Sequence, residues 1–191
     1  DYSRIESTFQ RARWRLWFPC RGWSEMNEKE RKAVKRAFGH FIIDRQYYLA
    51  GDISASNVSG VMAKLLEPVR QAWRVVGITE AAFAAFKKAN FTKPEIKLTR
   101  AHLVDRKATI EHLLKNENLT QNQFRNGVLG KKDHCILALS HENKSIAKNK
   151  TIIKFRNLGD DPLFQRSGYS WRYGQAEMEL LCELHLELKM A

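Results

Sequence analysis

Residues Gly77–Ala89 read GITEAAFAAFKKA, and this stretch predicts how the front part of the chain folds. Gly77 follows an apolar helical pattern, and we expect it to end that helix, because glycine adopts a left-handed backbone without steric cost. Thr79 is then placed to cap a second helix. That helix carries Phe83 and Phe86 on one face and ends in two lysines, where positive charge suits the helix dipole. The stretch therefore predicts two helices joined by a tight turn.

Upstream, apolar residues recur at three- and four-residue intervals, which is the period of a helix. One helical run covers Asn27–Ala50, and a second resumes at Val61 and continues through Val76. The segment Gly51–Gly60 (GDISASNVSG) is rich in serine, asparagine and glycine, and it is predicted to break the pattern. Pro68 lies inside the second run, so we expect a kink or a helix restart there.

A small all-helical domain is predicted for residues 61–115. Two short helical patterns follow Pro94, at Ile96–Val104 and at Lys107–Leu114. Together with the two helices that meet at Gly77, they give three or four short helical elements.

The last part of the chain carries strand signals. Asn116–Gly130 is rich in asparagine, glutamine and glycine and is predicted to be a linker or loop. Cys135–Leu139 is a short apolar run, Ile152–Phe155 is β-branched, and polar and aromatic residues alternate around Trp171. Apolar and polar residues also alternate along Cys182–Met190, and this period of two predicts a half-buried strand. We therefore expect a small antiparallel unit of three or four strands.

These patterns predict a mainly α fold that is α+β overall. A basic aromatic arm (1–26), a long helix with its break (27–60) and the small helical domain (61–115) precede a β-rich C-terminal extension (116–191). With 191 residues, 43% of them hydrophobic, the chain can bury one good core or a core plus a smaller appendage. The three cysteines form no CxxC pair, so we expect neither a disulfide framework nor a structural zinc site. No apolar run reaches the roughly 18 residues that a membrane span needs.

The net charge of +12 indicates a polyanionic partner, either nucleic acid or an anionic membrane surface. Five arginines and several large aromatic residues lie in the arm. Guanidinium groups bind phosphates, and indoles stack on exposed bases, so the arm is predicted to bind RNA. An amphipathic helix whose tryptophans pack on another protein is the alternative. The arm residues assigned to RNA contact are Arg4, Arg11, Arg13, Trp14, Arg15, Arg21 and Trp23.

The long helix offers a second basic surface. Lys32, Lys35, Arg36 and Arg45 lie opposite its apolar positions and are candidates for phosphate contact. A solvated charged face is equally compatible with this pattern. The segment Lys131–Arg156 is also basic, and the same two interpretations apply to it.

Several short pieces occur in a characteristic order, namely Arg11-Ala12-Arg13, Arg21-Gly22-Trp23, Lys35-Arg36-Ala37-Phe38, Arg45-Gln46-Tyr47-Tyr48, Trp73-Arg74, Gly77-Ile78-Thr79 and Lys87-Lys88-Ala89. Their order and spacing resemble the bacterial-type large-subunit ribosomal protein twenty family. In that family an arginine-rich arm and a long helix lead into a small helical domain. The resemblance covers a little over half of the chain and ends at the helix from Asp105 to Leu114. It adds Tyr47, Arg70, Arg74, Lys87 and Lys88 to the expected RNA contacts.

The resemblance implies a structural, rRNA-binding constituent of the large ribosomal subunit that supports subunit assembly. Its partners would be rRNA and neighbouring ribosomal proteins, with no catalytic residue, metal, cofactor or small-molecule substrate. The chain departs from the family in its neutral segment 52–60, where the family helix is densely basic, and in its added tail. Reduced basicity with an appended tail resembles ribosomal proteins of mitochondria, which implies the mitochondrial matrix as the location.

Two other functions stay open. Glu111-His112 and His141-Glu142-Asn143 superficially resemble a ββα-metal (HNH) nuclease, with Glu111 and Asn143 as metal ligands and His112 as the base. However, His112 falls in a helical pattern, and the turn that usually follows the nuclease histidine is absent. The other possibility is an interaction protein of a large assembly that does not touch RNA. Salt distinguishes it from the RNA-binding hypothesis, because phosphate contacts weaken steeply as salt rises.

Overall fold

The computed structural model describes residues 26–130, 133–145, 151–156, 163–167 and 170–190. The predicted arm lies outside these ranges, apart from Met26. The described elements are α1 (Glu28–Ala50), α2 (Ala55–Leu65), β1 (Val75–Thr79), α3 (Glu80–Lys88), β2 (Leu98–His102), α4 (Arg106–Leu114), α5 (Gln121–Leu129), β3 (Cys135–Leu139), a 3-10 helix (Ser140–Ser145), β4 (Ile152–Lys154), β5 (Arg166–Ser167), β6 (Ser170–Trp171) and α6 (Gln175–Met190). The predicted class, mainly helical and α+β overall, is confirmed.

The long helix α1 begins and ends at strong caps. The Asn27 side chain accepts a hydrogen bond from the Glu30 N–H, and the Glu30 carboxylate accepts one from the Asn27 N–H, at 2.9 and 3.0 Å. This capping box satisfies two backbone donors that the first helical turn leaves without partners. Gly51 ends the helix with φ of 87°, a conformation that glycine adopts without strain. The long helix predicted from the sequence is therefore confirmed.

The second helical run differs from its prediction at both ends. Ser54 caps α2, so the helix begins at Ala55 and the predicted break is shorter than expected. It ends at Leu65, ahead of Pro68, and turns lead from there to Trp73, which has φ of 56°. The prediction of helix through Val76 is therefore wrong.

A four-stranded mixed sheet with the order β2-β3-β1-β4 organises the molecule. Strand β3 pairs in parallel with β1 and antiparallel with β2, while β4 lies antiparallel to β1. The strands predicted at Cys135–Leu139 and Ile152–Phe155 are present, but they join two strands from the front part of the chain. The predicted antiparallel unit confined to the tail is therefore corrected to a mixed sheet built from both parts.

Two segments predicted as helical are strands of this sheet. Gly77 lies inside β1 and does not end a helix, because four of the five residues of β1 are β-branched and favour an extended backbone. The pattern at Ile96–Val104 corresponds to β2, whose Leu98 and Ala101 are buried on opposite faces. The cap at Thr79 is confirmed, since its side chain accepts a hydrogen bond from the Ala82 N–H at 3.2 Å.

Two segments of the tail are helices where a strand and a loop were predicted. Cys182–Met190 belongs to α6, in which Leu181 and Leu184 are buried one turn apart while the alternating Leu186 and Leu188 are largely exposed. This segment forms a helix because it contains many residues with high helix propensity and buries a narrow apolar stripe that includes Leu181 and Leu184. These two factors outweigh the alternation of apolar and polar residues that predicted a strand. Asn116–Gly130 contains α5, which buries its Phe124 and Val128 at i, i+4 spacing.

One hydrophobic cluster connects these elements, from Met26 before α1 to Leu184 in α6. The rings of Phe41 and Phe124 pack 5.0 Å apart between α1 and α5. Helix α3 packs on β1 and β3, and its Phe83 contacts α6 through His185. Among the described helices, none combines the length and apolarity that crossing a bilayer requires. Among the described residues, the outer side of α1 is exposed and β4 forms one edge of the sheet.

Candidate nucleic-acid interface

Five cations form an exposed row on the first turns of α1: Lys29, Arg31, Lys32, Lys35 and Arg36. We refer to these five residues as the α1 basic row. The helical period turns Glu30, Ala33, Val34 and Ala37 towards the core, which leaves the intervening cations on the solvent side. The eight residues from the first to the last cation span about 10 Å of helix.

The acidic residues of the first turn neutralise little of the α1 basic row. Glu28 pairs with Lys32 at 2.7 Å, but both side chains are about three quarters exposed, so the pair is weak and screened by salt. Glu30 faces inward and pairs with Arg70 at 3.0 Å. Within the described part of the chain, the other four cations of the row form no ion pair.

Glu30 is held as a buried carboxylate. Burial alone would raise its pKa, but the hydrogen bonds from the Arg70 side chain and from the N–H groups of Arg70 and Asn27 outweigh burial and hold the pKa below its ordinary value. The residue therefore joins the start of α1 to the turn that follows α2. It fixes the orientation of the helix that carries the basic row.

A groove of about 480 Å³ runs beside the α1 basic row. Ala33 and Pro68 contribute apolar surface, while Lys29, Lys32 and Arg36 supply positive charge. Glu28 also lines the groove. Lysine and arginine around a shallow groove suit a phosphodiester backbone, which needs charge and hydrogen-bond donors more than depth.

The predicted RNA contacts on α1 have three different settings. Lys32, Lys35 and Arg36 lie together in the basic row, which Lys29 and Arg31 of the same charged run extend. Tyr47, 52% exposed, lies about three turns further along the helix. Arg45 has an internal contact instead, because its Nε donates to the Leu114 carbonyl at 2.8 Å and so satisfies the end of α4.

The remaining predicted contacts are dispersed. Arg70 pairs with Glu30, and Arg74 directly precedes β1, where its carbonyl accepts a hydrogen bond from the Cys135 N–H at 2.8 Å. Lys87 and Lys88 are exposed in the last turn of α3. Arg4, Arg11, Arg13, Trp14, Arg15, Arg21 and Trp23 lie outside the described residues, as do most of the cations of the predicted patch from Lys131 to Arg156.

A partly buried polar cluster, which was not predicted from the sequence, lies at the end of β2 around the buried Trp73 and Asp133. Asp133 accepts the Trp73 N–H at 2.8 Å with one carboxylate oxygen, and its other oxygen lies 3.4 Å from His102 Nε2. The guanidinium groups of Arg106 and Arg100 lie 4.9 and 5.7 Å from the centroid of the Trp73 indole. We call these five residues the Trp73 cluster. Pairing of β3 with both β1 and β2 brings these residues together, and Trp73 and Asp133 are 60 residues apart in sequence, so no local motif indicates the cluster.

Cys135 borders this cluster and is not a reactive thiol. Burial, followed by the nearby charge of Asp133, raises the pKa of Cys135 to about 12. Its thiolate is therefore scarce at neutral pH.

The residues considered for a nuclease have ordinary structural settings. The Glu111 carboxylate accepts from Lys115 at 3.1 Å and from the Tyr48 hydroxyl at 3.5 Å, and the hydrogen bond and charge of Lys115 lower the pKa of Glu111. His112 is exposed on α4, and Asn143 lies in the 3-10 helix after β3. Among the described residues, no group of histidine, cysteine, aspartate or glutamate is arranged to hold a metal ion.

No protein-family model, curated protein or solved structure matches this chain. The resemblance to the ribosomal family consequently depends on the quoted residues. Of these, Lys35–Phe38 and Arg45–Tyr48 lie on α1, Gly77–Thr79 lies on β1, and the segment from Asp105 to Leu114 forms α4 with its cap.

Proposed function

We propose that this protein binds folded RNA as a structural component of a large ribosomal subunit, and that its place is the mitochondrial ribosome. The α1 basic row carries the proposal, because it presents five cations to solvent along about 10 Å of a rigid helix. The net charge of +12 supports it, as does the resemblance of the arm and the long helix to the ribosomal family.

The row binds phosphates, and shape contributes more to specificity than base identity does. Lysine and arginine contacts to phosphates position a protein on RNA without reading its sequence. The ion pair between the buried Glu30 and the partly exposed Arg70 holds the row in place, so little ordering is needed when RNA binds. Neighbouring ribosomal proteins are the other partners.

Salt dependence tests the role of the row. Changing Lys32, Lys35 and Arg36 together to glutamine should weaken binding to a structured large-subunit rRNA fragment. It should also reduce the slope of log K against log salt by about 2 to 3, since each phosphate contact contributes close to one unit or slightly less. A control with Lys64, Lys97 and Arg172 changed to glutamine loses the same charge from exposed positions outside the predicted RNA contacts. Equal losses in the two variants would count against a specific surface.

The ribosomal assignment needs a separate measurement. The full chain should co-sediment with the large ribosomal subunit in low salt and crosslink to its rRNA. A chain that binds RNA fragments but never co-sediments with the subunit would leave the basic row as an RNA-binding surface and end the ribosomal proposal.

The Trp73 cluster favours phosphodiester hydrolysis as a second candidate function. His102 lies beside the buried carboxylate of Asp133, an arrangement typical of a histidine that acts as a general base. The two arginines that lie against the Trp73 indole carry the positive charge that a phosphate needs. In this reaction water attacks phosphorus, His102 takes the proton from that water, and the departing oxygen takes a proton from solvent as its bond to phosphorus breaks.

Cleavage assays distinguish this candidate. Plasmid DNA and structured RNA would be incubated with the full chain, with and without Mg²⁺. On the hydrolytic hypothesis His102→Ala loses at least about a hundredfold in rate, whereas the exposed His112→Ala keeps it. Intact substrate with wild-type protein would eliminate this candidate.

A further inference from the structure

A second groove lies at the edge of the sheet, between α3, β4 and α6. Its volume is about 320 Å³. Phe83, Ile153 and Leu188 give it an apolar lining, and Lys87, His185 and Lys189 add basic side chains. Among the described residues that line it, Glu80 is the acidic one. We call this site the edge groove.

Strand β4 is an edge strand of the described sheet and lies beside the edge groove. Phe155 N–H donates to the Val76 carbonyl at 3.0 Å, and Glu80 N–H donates to the Thr151 carbonyl at 3.4 Å. Along an antiparallel strand, successive residues direct their backbone N–H and carbonyl groups to opposite sides. Residues 151, 153 and 155 therefore direct these groups towards β1. Ile152 and Lys154 therefore direct their N–H and carbonyl groups away from the sheet. Among the described strands, β4 pairs with β1 alone.

The edge groove carries positive charge. Lys87 and Lys189 are both exposed, and His185 lies between α3 and α6 with its ring 5.4 Å from that of Phe91. The pKa of His185 is lowered, mainly by partial burial and to a smaller extent by the charges of Lys189 and Lys87. His185 is therefore mainly neutral at neutral pH, and the two lysines supply the positive charge. Glu80 offsets part of it at the start of α3.

We propose that the edge groove binds an extended, acidic segment of a partner protein, which adds a strand to β4. The outward N–H and carbonyl groups of Ile152 and Lys154 pair with the backbone of that segment. Its apolar side chains pack on Phe83, Ile153 and Leu188, and its carboxylates meet the two lysines. This binding site is separate from the α1 basic row.

Two other occupants fit the edge groove less well. An RNA strand lacks the amide and carbonyl groups that continue a β-ladder, and the apolar lining from Phe83, Ile153 and Leu188 suits side chains better than phosphates. A second copy of this chain would bring two like-charged grooves together in a protein of net charge +12.

Peptide binding to the full chain tests the proposal. The probe is a fluorescent, capped hexapeptide in which glutamate alternates with valine, and the comparison peptide carries lysine in place of glutamate. The acidic peptide should bind more tightly, and hydrogen exchange of the Ile152 and Lys154 amides should slow when it is bound. Equal binding of both peptides, or unchanged exchange at these amides, would overturn the strand-addition proposal.

Matched variants locate the site. Lys87→Glu and Leu188→Asp should each weaken binding at least about tenfold. Lys88→Glu and Leu186→Asp change equally exposed neighbours that do not line the groove, and they should leave binding within about twofold of wild type. Equal losses in groove and control variants would reject the site. A dimer in sedimentation that Leu188→Asp dissociates would instead identify a second copy as the occupant and overturn the proposal.

Discussion

At the scale of single residues, Gly77 determines how closely β4 can approach β1. A Cβ atom added at Gly77 would lie 2.7 Å from the Ile153 carbonyl oxygen, inside van der Waals contact. Gly39, in the exposed middle of α1, has no atom within 4 Å of the equivalent position. Adding a methyl group should therefore destabilise the fold at Gly77 and stabilise it at Gly39.

Alanine substitutions test this difference. Gly77→Ala should lower the free energy of unfolding by about 1–3 kcal/mol, because β4 has to move away from β1. Gly39→Ala should raise it by about 0.5–1 kcal/mol, since alanine favours a helix. Urea denaturation measures both, and a stabilising Gly77→Ala would contradict the strand pairing.

Glu30 couples stability to pH through its contacts with Arg70. Because its pKa in the folded protein lies below the ordinary value of 4.5, the stability from its ionised form is present above that pH and is lost as the pH falls through the folded pKa. Glu30→Gln should destabilise the protein at pH 7 by about 1.5–3 kcal/mol, the range for hydrogen bonds to charged groups.

The matched control for this prediction is Glu28→Gln. That variant loses only an exposed pair and should change stability by less than about 0.5 kcal/mol. Unfolding curves from pH 7 to pH 3 should show wild type converging on Glu30→Gln at the acid end. A difference that stays constant with pH would refute the role of the ionised carboxylate.

At the scale of elements, Leu184 and Leu186 of α6 differ in burial, although a strand would place both on the same face. On a strand, Leu184 and Leu186 would face the same side. In α6 they are two positions apart around a helix, and Leu184 is 5% exposed while Leu186 is 43% exposed.

Leucine truncations test this assignment. Leu184→Ala should cost about 2–4 kcal/mol of unfolding free energy, because it leaves a cavity in the core. Leu186→Ala should cost less than about 1 kcal/mol. Similar losses for the two variants would indicate an extended strand.

At the scale of the whole molecule, the sheet joins parts of the chain that are distant in sequence. Strand β3 lies between β1 and β2, and its five residues are all buried. The front part of the chain by itself lacks this central strand, so β1 and β2 have nothing to pair with.

A truncation tests this dependence. A fragment ending at Gly130 should show no cooperative thermal unfolding transition, although residual helix should still give a far-UV circular dichroism signal. The full chain is the control. Cooperative unfolding of the fragment would mean that its helices form an independent domain.

Local chemistry determined what could be predicted from the sequence. The sequence shows neighbouring residues and their period. These features predicted the cap at Thr79, the long helix, the helix at Lys107–Leu114 and the apolar strand at Cys135–Leu139. The cations of the α1 basic row could also be read from the sequence, but their exposure could be established only from the structure.

Only the tertiary structure decided which face of each element is buried and which distant segments meet. A glycine such as Gly77 either ends a helix or allows a neighbouring strand to approach closely. In this fold Gly77 lies in β1 and allows β4 to approach. The leucines of α6 alternate as a strand would, but packing of Leu181 and Leu184 against the core favours the helix. Asp133 and Trp73 meet only because β3 lies beside β1. Non-local pairing and burial contribute more free energy than local propensity, so the sequence determined elements while the packed core determined their arrangement.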